Sequence, residues 1–368
     1  MKRPSTLVLA ASLLIAQTFV DRADGRDLPS MPMRAPVPSS GGVAGVPVLP
    51  VPQGSLDATA RTLRVGPTEE YTTPSAAAAV AHDGDTVEIA SGEYRADVAL
   101  WNANRLRIVG ADPRPHMRAE GKDAQGKSIW VIRGDDIVVE NVEMSGARVP
   151  DRNGAALRVE GRNFTLRNSY LHDNENGLLA GANATSEITI DRCEFARNGS
   201  GDGMTHNLYV GNVAKLTVSN SYLHHAVVGH NLKSRAKVTI LRDNRLADEV
   251  DGRASYEADF PNGGRVTLAF NIFQKGIAAE NPTLVSYGAE GLASDGTHEL
   301  VAKGNTFISQ RPNGTRFLFI APGIQSTLIN GNVFAGPGAL PDVAAVRANN
   351  AVQPEMPGNV DLKPQGFR

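Results

Sequence analysis

The sequence predicts an all-β fold, a solenoid of parallel strands with a short helix capping its N-terminal end. Two observations carry this. From Leu63 onward, short β-branched segments recur: LRIVG, IVVENVEM, FTLRNSYL, ITIDRCEF, LTVSNSYL, VTILRDNRL, VTLAFNIF, ELVAKGNTF and TLINGNVF. Their starts, near residues 106, 137, 164, 188, 216, 238, 266, 299 and 327, lie twenty-two to thirty-three residues apart, the size of one supersecondary unit per repeat. Second, Asn141, Asn168, Asn220, Asn244, Asn271, Asn305 and Asn332 fall where each segment would bend. Asn tolerates the left-handed backbone of a sharp turn, and its amide can bond to the coils above and below. A coil of two or three short strands cannot bury its apolar face alone. Coils stacked about 4.8 Å apart can. Hairpin arrays would instead show turns about every eight to twelve residues.

The elements follow in order. Lys2 and Arg3 precede the apolar run LVLAASLLIAQTFV, too short for a comfortable membrane span, so residues 1–25 are expected to be an export signal. No Cys follows to carry a lipid anchor. Residues 26–60, rich in Pro, Gly and Ser without apolar periodicity, form a flexible linker. Residues 61–340 form the solenoid and 341–368 a tail that closes the last coil. The mature protein is expected outside the cytoplasm, secreted or periplasmic, as a monomer with no membrane span. A formal charge of −2 argues against a nucleic-acid partner, which calls for a basic surface. The single cysteine, Cys193, permits neither a disulfide framework nor a thiolate zinc site, and it reads as a small buried residue. His224-His225 with His230 is not a usual zinc arrangement, and Asp202, Asp248 and Asp251 read as turn residues. No metal and no cofactor are expected.

PSAAAAVAHDGDTVEIASGEY resembles the N-terminal cap of the right-handed parallel β-helix proteins of the pectate-lyase-like superfamily: an Ala-rich helix over residues 74–82, a Gly-Asp turn, then the first coil. The cap would cover open strand edges. The resemblance spans Leu63 to Gly336. It implies the fold but not the chemistry, because such folds carry lyases, hydrolases, epimerases, esterases and adhesins.

Within the solenoid, HNLY at 206–209 returns as HNLK at 230–233, and ASYE follows at 254–257. A constant twenty-four-residue coil would stack these phrases. Strand alternation would then place Leu208, Leu232 and Tyr256 inside. Asn207, Asn231 and Ser255 would form one outward column, Tyr209, Lys233 and Glu257 a second, and Gly211, Arg235 and Asp259 a third. With His206, His224, His225 and His230 close by, and Tyr287 and Glu290 in SYGAEG farther on, this surface suits a sugar chain. Its plain alternative is a solvated strand face whose charges pair across coils, worth little to stability. His206 and His230 share parity with the inward leucines and could instead sit at the strand starts.

KSRAKVTILRDNR, residues 233–245, resembles the Lys-Ser stretch of the alginate lyase and chondroitinase B branch, distantly. There a Lys is assigned as proton-abstracting base and an Arg about one coil later assists. Lys233 matches by motif, Arg253 is the positional candidate for the Arg, and Arg235 lies closer along the strand. Ala226, Val227, Val228 and Gly229 stand where that branch has calcium-binding acids, so no calcium site is implied. Cleavage of a uronate polysaccharide by β-elimination needs a base at C5, positive charge on the carboxylate and an acid at the leaving oxygen. Stacking Glu257 over Lys233 would contribute about 3 kcal/mol and favour the ammonium. Tyr209, helped by His206 or His230, is therefore expected to move the proton, with Lys233 and Arg235 on the carboxylate. Asn207, Asn231, Arg253, Glu257, Asp259, Tyr287 and Glu290 are expected to bind substrate. Alternatives are a hydrolase using Glu257 and Asp259 as an acid–base pair, or a non-catalytic polysaccharide-binding protein.

Overall fold

The computed structural model describes residues 60–344 and 346–355. The expected export signal and linker lie outside the described residues. The chain winds as a right-handed parallel β-helix of about ten turns. Each turn passes through three sheets in the same order. The first sheet has eleven strands, the second eleven and the third ten. Every named strand pairing is parallel and joins one coil to the next, as in Phe164↔Ile188 and Ile188↔Leu216. The recurring segments seen in the sequence all fall at one corner. IVVENVEM, for example, comprises the first-sheet strand Ile137–Glu140, a bend, and the second-sheet strand Glu143–Ser145.

That corner contains two columns that the sequence pattern merges. One column holds the left-handed residue of each bend: Asn141, Asn168, Arg192, Asn220, Asp243 and Phe270, all between φ 44° and 59°, then Gly304 and Gly331. The next column is buried and polar. Asn244, Asn271, Asn305 and Asn332 each donate Nδ2 to a main-chain carbonyl and to the amide oxygen of the next Asn, at 2.8–3.0 Å. Ser169, Cys193 and Ser221 occupy the same place in earlier coils. Burial pushes the Cys193 thiol up to about 12, consistent with a small packing residue.

Inside, stacked coils place like on like. Phe273, Phe307 and Phe334 stack with centroids 5.2 and 5.0 Å apart, and Trp101 meets Trp130 edge-on at 5.3 Å. The helix at the N-terminal end spans Pro74–Val80, ending two residues sooner than expected. Thr73 Oγ1 accepts from Ala76 N at 3.3 Å, and proline starts the first turn, where its missing N–H costs nothing. Ala77 is buried in the core. At the other end, Ala351–Gln353 pairs with Val333–Ala335, so coil pairing continues past the boundary expected at residue 340.

The two corner columns give opposite mutational expectations. Asn271→Ala strips hydrogen bonds from several buried groups and should cost about 3 kcal/mol in urea unfolding. Asn220→Gly, at a left-handed bend, should change stability by less than about 1 kcal/mol.

Candidate active site on the third sheet

Strand register decides which side chains meet. Tyr209 pairs with Lys233, a twenty-four-residue step, and the His206 and His230 rings stack with centroids 4.5 Å apart. The next step is longer: Leu232 pairs with Ala258 and Lys233 with Asp259. The added length lies in the corner that follows the strand Arg245–Ala247, where Gly252 N donates to Asp248 O and Ala254 N to Asp248 Oδ1. Several expectations built on a constant step are corrected. Glu257 stands over Asn231 rather than Lys233, and both are fully buried, as is Asn207. Their side chains form a hydrogen-bonded chain within the corner, Asn207 to Asn231 to Glu257, and cannot hold substrate. The proposed Glu257–Asp259 hydrolase pair fails for the same reason. Ala258 replaces Tyr256 over Leu232, and Tyr256 lies against His230, with centroids 4.9 Å apart. Asp259 joins the column of Lys233, not that of Arg235. Tyr287 points into the core, where its hydroxyl donates to Gly264 O at 2.7 Å.

The outward column is thus Tyr209, Lys233, Asp259 and Ser286. Lys233 Nζ lies 2.8 Å from Glu290 Oε1 and 3.5 Å from Asp259 Oδ2. Arg235 Nη2 donates to Glu290 Oε2 at 2.7 Å, Nε to the Tyr209 hydroxyl at 3.2 Å, and Nη1 to Asn262 Oδ1. The Glu290 carboxylate therefore bridges both cations, one oxygen to each. Against the cost of burial, these hydrogen bonds hold its carboxyl below the usual range. Its side chain is 46% exposed, whereas that of Lys233 is only 12% exposed.

Behind this surface the groups are dry. Burial, reinforced by the charges of Lys233 and Arg235, pushes His206 down to about 3. Burial and the neighbouring His206, Lys233 and Lys275 push His230 well below its ordinary value. Both imidazoles are neutral at pH 7. Burial raises the Asp259 carboxyl, opposed by Lys233. His230, Asp259 and Ser286 are all buried, with His230 Nε2 3.7 Å from Asp259 Oδ2 and Ser286 paired with Asp259 in the next coil.

The structure does not gather every candidate here. Arg253 is exposed and makes none of these contacts. His224 and His225 lie at the second sheet, beside Glu194 and Asp251. Asn262 and Ser286 were missed. Asn262 sits in the turn after the strand Ala258–Phe260, and Ser286 enters only through the longer coil. A cleft of ≈ 330 Å³ is lined by Arg235, Asn262 and His298 among others.

Residues 118–252 match the family described as "Right handed beta helix region". Among solved structures, an alginate lyase from Paenibacillus sp. str. FPU-7 superposes with a TM-score of 0.55 at 13% identity, covering 81% of this chain and 99% of that one. The pectate lyase Pel9A superposes with a TM-score of 0.50 at 13% identity, covering 83% and 79%. No curated protein matches by sequence. At these identities the likeness establishes the fold.

The depressed histidines have a stability consequence. Unfolded, each imidazole binds a proton below about pH 6.5. Folded, His206 does not until about pH 3. Its neutral burial is without penalty above pH 6.5 and costs about 1.4 kcal/mol per pH unit as acid is added below that. His206→Gln should therefore flatten the loss of unfolding free energy between about pH 6 and 4, read from urea titrations at each pH.

Proposed function

We propose that this is an exported polysaccharide-active protein that binds an acidic, uronate-containing chain across the third sheet and cleaves it by β-elimination. The observation that carries this reading is the Glu290 carboxylate held one oxygen to Lys233 and one to Arg235. The same two donors, Lys233 on the strand Leu232–Ser234 and Arg235 just past its end, match the carboxylate of a uronate residue. The substrate group would displace Glu290, which sits in a loop after the strand Thr283–Tyr287 and is half exposed. The likeness to lyases of alginate and pectate, both acidic polysaccharides, supports this substrate class. No helix among the described residues is long and apolar enough to cross a membrane.

In this reading Lys233 and Arg235 neutralise the carboxylate and so stabilise the charge that develops when the C5 proton leaves. Carboxylates on both sides of Lys233 suit it to a cationic role. Tyr209 moves the proton: as the phenolate, its oxygen held by Arg235 Nε, it takes the C5 proton, and as the phenol it passes that proton to the leaving glycosidic oxygen. His206, stacked parallel to the Tyr209 ring with centroids 5.8 Å apart, holds that ring in place, and His230 backs His206. Asp259 positions Lys233 from below the surface. A non-catalytic polysaccharide binder would use the same cations without Tyr209.

Incubation with polyuronates, following ultraviolet absorbance of the unsaturated product, separates these readings. A lyase gives a rise, a hydrolase gives reducing ends without one, and a binder gives neither. Tyr209→Phe should lower kcat by about 10²–10⁴, and Arg235→Ala should lower kcat as well as raise KM. Glu290→Gln should lower KM by freeing both cations. Full activity in Tyr209→Phe with none in Lys233→Ala would return the base to Lys233.

A further inference from the structure

On the second sheet, away from the proposed polysaccharide surface, three neighbouring coils direct metal-ligand atoms to one point. His116 and Glu143 pair in one column, and His172 pairs with Ser145 two residues along. Glu143 Oε1 lies 3.5 Å from His116 Nδ1 and 3.1 Å from His172 Nε2. The three ligand atoms all fall within 4.8 Å of one another. Donors bound at about 2 Å to a tetrahedral ion stand about 3.3 Å apart, so small side-chain adjustments would complete the set.

The surroundings are those of ligands. The other nitrogen of each imidazole is already engaged: His116 Nε2 with Ser145 Oγ at 2.8 Å, His172 Nδ1 with Asp173 Oδ2 at 2.6 Å. Such partners fix the tautomer and aim the free nitrogen at a metal. Arg197 in turn holds Asp173 at 2.7 and 2.9 Å, and the Tyr170 ring stacks on His172 with centroids 4.1 Å apart. All three side chains are partly buried on rigid strands.

We propose that His116, Glu143 and His172 form a binding site for a zinc-class divalent cation, which clasps three successive coils and keeps a position open to water. Two imidazoles and one carboxylate suit a borderline cation rather than calcium or magnesium, which favour oxygen.

The test uses the untagged chain, stripped with chelator and titrated with Zn²⁺ alone by calorimetry. The expected result is one ion per chain with a dissociation constant below about 10 μM. Glu143→Gln and His172→Ala should each weaken it by about 10- to 100-fold. His224→Ala, in the second Tyr-Leu-His strand, should leave it unchanged. Zn²⁺ should raise the thermal midpoint of the parent and not of Glu143→Gln, an isosteric change that spares the fold. Weaker binding, or binding that survives in both Glu143→Gln and His172→Ala, would overturn the proposal. His172 would then be a histidine shared between Glu143 and Asp173.

Discussion

Every side-chain constellation in this molecule depends on the hydrogen-bonded register between successive coils. Parallel pairing sets residue against residue at one strand spacing, so a corner a few residues longer changes which side chains become neighbours. Between Ala247 and Ala258 such a corner moves Asp259 beside Lys233 and sends Glu257 into the interior. The outward surface is a product of turn lengths as much as of strand sequences. The apolar core tolerates this because it asks only that inward positions remain apolar: Ala258 takes the place over Leu232 that Tyr256 would have had.

The electrostatics of the third sheet follow from the same stacking. Lys233 on the strand Leu232–Ser234 and Arg235 just past its end both reach Glu290, which is brought over them by the loop that follows the next strand but one. The pair is thus assembled with a carboxylate in place, and its cations need not reorganise to receive another. Beneath them the stacked His206 and His230 are kept neutral by burial and by those same cations. Uncharged rings can be buried behind a charged surface at modest cost, whereas buried imidazolium there would oppose both Lys233 and Arg235.

The fold was legible in the sequence because its determinants are local and repeated: β-branched runs, a bend, and a polar residue after it. The Asn columns were legible only in part. Asn141 and Asn244 look alike in the sequence, yet one supplies a left-handed backbone and the other a buried amide bridge. The offset of one residue between them is invisible without the bend geometry. At the site, the adjacency of His206 with His230 and of Tyr209 with Lys233 was readable from a repeated phrase, as was the relevance of Arg235 and Glu290. The misplacement of Glu257, Asn207 and Asn231 came from assuming a constant coil and strict alternation up to the strand start. ASYE is not a strand at all; the strand is Ala258–Phe260. The His116–Glu143–His172 group left no sequence signal, since its members are twenty-seven and twenty-nine residues apart and meet only through register.

The buried corner between the second and third sheets shows why Glu257 belongs inside. Along Asn174, Asn198, Asn207 and Asn231, each amide accepts from one neighbour and donates Nδ2 to the next. A run of amides all pointing the same way must end on a group that only accepts. Glu257 is that group: Oε2 takes the last Asn231 Nδ2, and Oε1 takes Lys275 Nζ at 3.0 Å. Lys275, fully buried, spends its other protons on Ala254 O and Ser255 O, at 2.7 and 2.9 Å, and lies 3.6 Å from Asp248. Burial, with Asp248 adding to it, raises the Glu257 carboxyl, and Lys275 and the Asn231 amide oppose the rise. The turn that lengthens this coil thus also supplies the carbonyls and the acid that satisfy Lys275. One local insertion both terminates the amide chain and sets the register that brings Asp259 under Lys233.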